Sequence, residues 1–497
     1  MQQRSQNIEI AATLTVLELP NLFALLNRVQ RTGNVETTIG LATLLFSLLQ
    51  SIGKPRLLEQ VGQIRDAAVT ASGDTWNHVK FDAQRTRIEQ QLAAGRLREA
   101  FDAAQALLQR VRMAGEQAYP SADYDLAGAY FLFAQVLKTA GGADQALPLL
   151  NEARYRFETI AQQQDNKSAE GMAAVCFAEQ GDCFRDLGRL DEAVVAYEES
   201  IRRGKQLGDD RGIAVGKGQL GTVYLYQHKY PEALQAYAEA REQFMQLNEP
   251  VSVATSWHQT GMVYQEMEQP TAAEDAYRQS LKINVQIGNV AGQAGTLNQL
   301  GTLYDAINRP EEVVAFYRQA VDKYVEIDDA AGEGRTRNNL GATLLKLRRF
   351  DEARQEIHRA IAGKAPLGHA AEPWKTRMTL ANLETETGNS AAAAEAKQKA
   401  IACYLAYRRD GGENHYPDGR ISAAITERLL AGDTAAAAAL LQQLADDPET
   451  NWLQPFIQAL QAITDGSRDR SLADAPDLDH TMAAEILFLI ETLEKPR

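Results

Sequence analysis

A chain of 497 residues with 66 acidic and 51 basic side chains carries a formal charge of −15 at pH 7. That excess of carboxylates excludes nonspecific attraction to nucleic acid or to anionic membrane surfaces, both of which need surplus Lys and Arg. Cys176, Cys183 and Cys403 form no CxxC pair, which is expected of a reduced cytoplasmic interior rather than of a disulfide framework.

From the N-terminus, Glu9 and Glu18 interrupt the first apolar stretch, so no secretory signal is expected. Helical periodicity predicts three helices near 19–30, 35–50 and 56–69, a helical cap over 1–70. The uncharged stretch 37–53 is at the lower edge of bilayer-span length, but Thr37, Thr38, Thr43, Ser47, Gln50 and Ser51 make it a buried helix instead. Two drifting repeat units follow. Their turn-plus-helix runs at 95–100 (GRLREA) and 141–146 (GGADQA) align with 188–193 (GRLDEA).

From about 171 the repeat becomes regular. Glycine recurs every 40 residues at Gly181, Gly221, Gly261, Gly301 and Gly341, with Ala381 next in the count. Three further columns keep the spacing: Tyr197, Tyr237, Tyr277 and Tyr317; Ala193, Ala233, Ala273, Val313, Ala353 and Ala393; and Phe184, Tyr224, Tyr264 and Tyr304. Each unit contains two amphipathic helical stretches around a short break, as at 171–187, Gly188-Arg189 and 190–207. The small residues admit close helix approach, and the aromatics are expected to fill the wider points of the same interface. Breaks between units fall at Gly208-Asp209-Asp210, Asn248-Glu249-Pro250, Gly288-Asn289, Asp328-Asp329 and Gly368-His369.

Gly411-Gly412 and Tyr416-Pro417-Asp418-Gly419 end the pattern. A last hairpin is predicted at 421–430 and 435–444, with closing helices at 452–463 and 480–493. The expected organisation is therefore a cap over 1–70, an array over 71–409 and a C-terminal hairpin and cap over 410–497.

Chemistry-bearing motifs fail on context. Gly216 to Gly221 matches GxGxxG by letter, but it lies inside a helix rather than after a strand, and Lys217 is followed by Gly218 rather than Ser or Thr. The histidines His78, His228, His258, His358, His369, His415 and His480 are scattered and form no HExxH. Paired carboxylates such as Asp209-Asp210, Glu311-Glu312 and Asp328-Asp329 sit where helices start, where they cap backbone amides. No catalytic residue, cofactor or metal is expected, and the chain is not read as an enzyme.

The unit reading Trp257, Thr260-Gly261, Tyr264, Ala273, Tyr277 and Ser280, with Leu220, Leu300 and Leu340 in its neighbours, resembles the tetratricopeptide repeat. The resemblance covers roughly 75–409, and the long period is similar to that of kinesin light chain and of bacterial sensor arrays. It implies an all-α, right-handed superhelical solenoid of antiparallel helix pairs with helical caps, a non-catalytic scaffold for a protein or peptide, with self-association left open. The N-terminal wording, Leu19 to Leu26, Gly33-Asn34 and Leu41 to Leu45, and the link 466–477 resemble the junction and terminal segment of bacterial STAND-class signal-transduction ATPases. That implies a second reading, the ligand-sensing module of a signalling or defence switch separated from its catalytic module.

The same resemblance places the first helix of each hairpin on a concave wall. Two of its columns then read Ala178, Gly218, His258, Asn298, Asn338 and Met378, and Glu179, Gln219, Gln259, Gln299, Asn339 and Thr379. An amide offers donors and an acceptor to a peptide backbone of any sequence. Asn338-Asn339-Leu340-Gly341 also resembles the Asn-Asn-Leu-Ala motif of kinesin light chain. Charge is graded along the wall, from Glu179, Asp182, Arg185 and Asp186 to Arg335, Lys346 and Lys375, so an acidic ligand group would prefer the later end. Asn339 and Lys375 match two positions of the chaperone-binding carboxylate clamp, whereas Asn298, Thr302 and Thr379 depart from it. The expected peptide-binding set is Gln219, His258, Gln259, Asn298, Gln299, Arg335, Asn338, Asn339, Lys346 and Lys375.

Overall fold

A computed structural model describes residues 18–51, 55–71, 76–412 and 416–495. Glu9, Gly53, Thr75 and His415 lie outside the described residues. Among the described residues all regular structure is helical, in tandem antiparallel pairs, and no helix is long and apolar enough to cross a membrane. The chain forms two compact units, one up to Met267 and one from Glu268 onward.

The first unit opens with α1 (18–31), α2 (Val35–Ser51) and α3 (Pro55–Ala71). Leu19, Leu26, Ala42, Leu45, Phe46, Leu49 and Val61 bury themselves there in a small core of their own. Pairs follow as α4 (His78–Ala93) with α5 (Leu97–Ala114), α6 (Ala122–Thr139) with α7 (Ala143–Gln164), α8 (Lys167–Asp186) with α9 (Leu190–Leu207), and α10 (Asp210–Tyr226) with α11 (Tyr230–Gln246). α12 (Pro250–Glu266) closes the unit. The even-numbered first helices also touch one another in sequence, α4 with α6, α6 with α8, α8 with α10 and α10 with α12. They form one continuous row.

The second unit runs α13 (Pro270–Gln286), then α14 (Val290–Ala306) with α15 (Pro310–Glu326), α16 (Ala330–Lys346) with α17 (Phe350–Lys364), and α18 (Pro373–Glu386) with α19 (Ser390–Arg409). α20 (Pro417–Leu430), α21 (Thr434–Ala445), α22 (Gln454–Thr464) and α23 (His480–Glu494) complete it around Ile425, Leu441, Phe456, Leu460, Ile486 and Leu489. Such an end covers the apolar face that a terminal repeat would otherwise expose.

Several boundaries differ from the sequence reading for local reasons. Tyr416 to Gly419 was expected to be a break, yet Pro417 opens α20: its fixed φ suits the first helical position, where its missing N–H costs nothing. Asn166 starts α8 at Lys167, ahead of the expected 171, because its side chain accepts from the Ala169 amide. The expected helix at 452–463 is split by a 3-10 turn, Pro448–Leu453, before α22. The carboxylate turns behave as expected, since Asp209 and Asp329 accept from the Gly212 and Gly332 amides at 2.9 and 2.8 Å.

The glycine and tyrosine columns are two halves of one contact. A Cβ on Gly181 would lie 2.7 Å from Tyr197 Cε1, on Gly221 2.8 Å from Tyr237 Cε1, and on Gly301 2.5 Å from Tyr317 Cε1. The rings therefore lie directly on the bare glycine faces rather than at wider points of the interface. Each ring then anchors its hydroxyl: Tyr197 donates to Asp182 at 2.6 Å, and Tyr237 and Tyr317 share hydrogen bonds with Thr222 and Thr302 at 2.9 and 3.3 Å. Gly221→Ala is expected to cost about 1–3 kcal/mol by overpacking. A urea titration showing no loss would mean that the ring can slide aside.

Candidate peptide-binding face

In the first unit the row of first helices is notched between neighbours. A cleft of ≈ 330 Å³ between α8 and α10 is lined by Val175, Ala178, Glu179, Val215 and Gln219 among others. The next, ≈ 270 Å³ between α10 and α12, is lined by Val215, Gln219, Ser252, Thr255, Ser256 and Gln259. Gln219 and Gln259 are thus brought to one cleft, flanked by hydroxyls and by the exposed Val215. The Gln219 carbonyl already accepts from Arg185 Nη1 at 3.1 Å, whereas the Gln259 amide makes no hydrogen bond among the described residues.

His258, on the same helix, is half-buried, and burial pushes its imidazole down to about 4. It is a neutral group at physiological pH. The unfolded imidazole titrates near ~6.5, so the unfolded chain takes up more protons between there and 4, and the stability His258 contributes is lost as pH falls through that window. His258→Gln is expected to flatten the change in urea midpoint between pH 7 and 5; an unaltered slope would place the imidazole in bulk water.

The acidic end of the wall is partly compensated, with Lys138 and Arg185 set against three carboxylates. Lys138 on α6 pairs with Glu179 and, at 3.0 Å, with Asp182, and Asp182 also receives Arg185 Nη1 at 3.1 Å. The sequence reading missed Lys138 because it lies in the drifting unit ahead of the phased columns. Its place about one period before Glu179 was the available signal.

In the second unit the ten-residue set divides by what each side chain already holds. Asn298 Oδ1 accepts from Thr336 Oγ1 at 3.1 Å, which ties α14 to α16. Asn339 lies within hydrogen-bonding reach of the Tyr317 hydroxyl. The Asn298 carbonyl oxygen is thus engaged between helices, while its NH2 group makes no hydrogen bond among the described residues. Gln299 makes no side-chain hydrogen bond among the described residues, and Asn338 Oδ1 is buried without a partner. The cations are similarly sorted. Lys346 pairs with Asp305 at 2.8 Å and Lys375 with Glu372 at 2.7 Å, while the exposed Arg335 forms no ion pair among the described residues. Two of the three cations at the later end of the expected charge gradient therefore already face a carboxylate. Lys346 reaches a carboxylate one repeat away and Lys375 one three residues before it, both pairs being open to solvent.

Gly216, Lys217 and Gly218 all lie inside α10, and Lys217 pairs with Glu239 at 3.0 Å. Among the described residues no group of three His, Cys, Asp or Glu side chains could hold a metal ion.

Tetratricopeptide repeat family models match residues 172–246, 212–284 and 252–324, and a second tetratricopeptide repeat model matches 334–364. Residues 172–324 and 334–364 therefore carry tetratricopeptide repeats. No match was found among curated proteins. Solved structures similar to it include BtubC from P. vanneervenii, 19% identical over 47% of this chain and 92% of that one, with a TM-score of 0.40. Another is a signal-transduction ATPase with a tetratricopeptide repeat sensor from Pyrococcus horikoshii, 14% identical over 71% of this chain and 54% of that one, TM-score 0.47. The apo quorum sensor NprR from B. thuringiensis is 13% identical over 74% and 99% of the respective chains, TM-score 0.46.

Proposed function

We propose that the row of first helices binds an extended peptide, or an extended segment of a partner protein, and performs no chemistry of its own. The observation that carries this reading is the cleft between α10 and α12, where Gln219 and Gln259 face a space bordered by Ser252, Thr255 and Val215. An extended backbone needs a donor and an acceptor at intervals, and an unbonded glutamine amide supplies both without selecting a side chain. Tetratricopeptide repeats generally serve as non-catalytic scaffolds, which supports the same assignment. Burial pushes the Cys176 thiol up to about 12 and that of Cys183 to about 11, so neither is a reactive thiolate, in keeping with a structural role in a reducing cytoplasm.

Gln259→Ala is expected to weaken a bound peptide by about 0.5–1.5 kcal/mol, the worth of one hydrogen bond, and to leave the unfolding midpoint unchanged. Fluorescence anisotropy with a labelled peptide selected against the full chain measures the first quantity. Unchanged affinity together with an earlier unfolding transition would make this amide a packing element and remove the cleft from the binding face.

A further inference from the structure

A hollow larger than the clefts between α8 and α10 and between α10 and α12 lies on the same row, outside the phased units. A pocket of ≈ 540 Å³ opens between α4 and α6, with α8 at one side. Its floor is apolar: Phe81, Leu132 and Phe157 are buried there, Phe131 and Met172 are half-buried, and Gly128 presents no side chain.

Its rim is charged and unevenly balanced. Arg85 alone serves two carboxylates, donating through Nε to Asp82 at 3.1 Å and lying 3.3 Å from Glu89 through Nη1. A third carboxylate, the buried Asp125, is held by His78 Nδ1 and by the Tyr119 hydroxyl, both at 2.9 Å. Three carboxylates thus share one guanidinium and one imidazole around an apolar hollow. Two of the carboxylates, Asp82 and Glu89, have only Arg85 between them and remain partly open to solvent, so the rim keeps a negative excess. A ligand bringing an apolar body and a positive charge satisfies both features, while an anionic one meets a like-charged rim.

We propose that this pocket anchors the bound peptide by taking a bulky apolar side chain, leucine or an aromatic, whose neighbour in the peptide is lysine or arginine. The inference rests on the peptide-binding reading above and gives that reading a specificity. Neighbouring packed helices stand about 8–10 Å apart, and an extended chain advances about 3.3 Å per residue, so the peptide passes one first helix roughly every three residues. Between this pocket and the Gln219–Gln259 cleft, three helices further on, lie about nine residues. The anchor and the amide cleft therefore belong to one bound segment of roughly a dozen residues.

The test is selection of random 16-residue peptides displayed on phage against the full chain, followed by anisotropy titration of the labelled winners. The expected winners carry leucine or an aromatic beside lysine or arginine. Glu89→Lys, at an exposed position, is expected to weaken them at least tenfold, Glu89→Gln about threefold, and Phe131→Ala at least fivefold. Reversing the peptide's lysine to glutamate should recover binding to the Glu89→Lys protein. Circular dichroism checks that each variant is folded; should Phe131→Ala unfold, the two Glu89 variants decide. Winners with acidic residues beside the apolar one, or affinities within twofold for Glu89→Lys while Gln259→Ala still weakens them, would overturn the anchor and leave the groove standing. Failure to select any peptide above a no-protein control would overturn both.

Discussion

Replacing Glu485 with alanine is expected to destabilise the second unit by about 3–5 kcal/mol, the usual effect of removing one member of a buried ion pair. The Glu485 side chain is fully buried on α23, and its Oε1 lies 2.6 Å from Nε of Arg408 on α19, itself only 12% exposed. Arg408 also donates to the Gly412 carbonyl and stacks over Phe488 at 4.9 Å. Without the carboxylate, that guanidinium is left charged in an apolar setting between the last repeat helix and the closing helix. The paired change Arg408→Met with Glu485→Met should recover most of the loss, since the pair's attraction roughly offsets its own desolvation. Urea unfolding of the two single variants and the double variant checks this as a cycle. A loss below about 1 kcal/mol for Glu485→Ala would show that water reaches the site and replaces the partner.

Tyr237→Ala should cost a similar amount, about 3–5 kcal/mol, by analogy with other large aromatic truncations in cores. Tyr237 is 1% exposed, its ring covers Gly221, and its hydroxyl meets Thr222 at 2.9 Å. Truncation leaves a void against a helix that has no side chain with which to fill it. Tyr237→Phe keeps the ring and should lose only about 0.5–1.5 kcal/mol. In a repeat array, stability is the sum of each unit and its neighbour contacts, so the effect should be concentrated in α10 and α11. Hydrogen exchange followed by mass spectrometry reads this directly: faster exchange spread evenly over the first unit would instead mean that it unfolds as one cooperative block.

Part of the candidate site was legible in the sequence and part was not. Gln219 and Gln259 could be placed together because a fixed period carries side chains of the same register to the same face. What Asn298 and Asn339 do could not be read that way. Whether an amide faces a ligand or a neighbouring helix depends on what stands across from it, here Thr336 for Asn298 and the Tyr317 hydroxyl for Asn339. The pocket between α4 and α6 escaped notice because its units drift from the 40-residue register, so His78, Glu89 and Asp125 fall in no column.

The sequence by itself determined that the chain is all helical, that its helices pair in tandem, and where most of them begin. Those features follow from short-range physics: apolar spacing at the helical period, and Asp and Asn side chains capping first turns. Tertiary structure alone decided which charges remain available and where the row of first helices is hollow. Lys138 pairs with Glu179 and Asp182 from 41 and 44 residues away, Lys346 pairs with Asp305, and Arg335 forms no ion pair among the described residues. The one-period spacing shows which side chains come within reach of one another, but which of them pair is settled only by their positions in the folded structure.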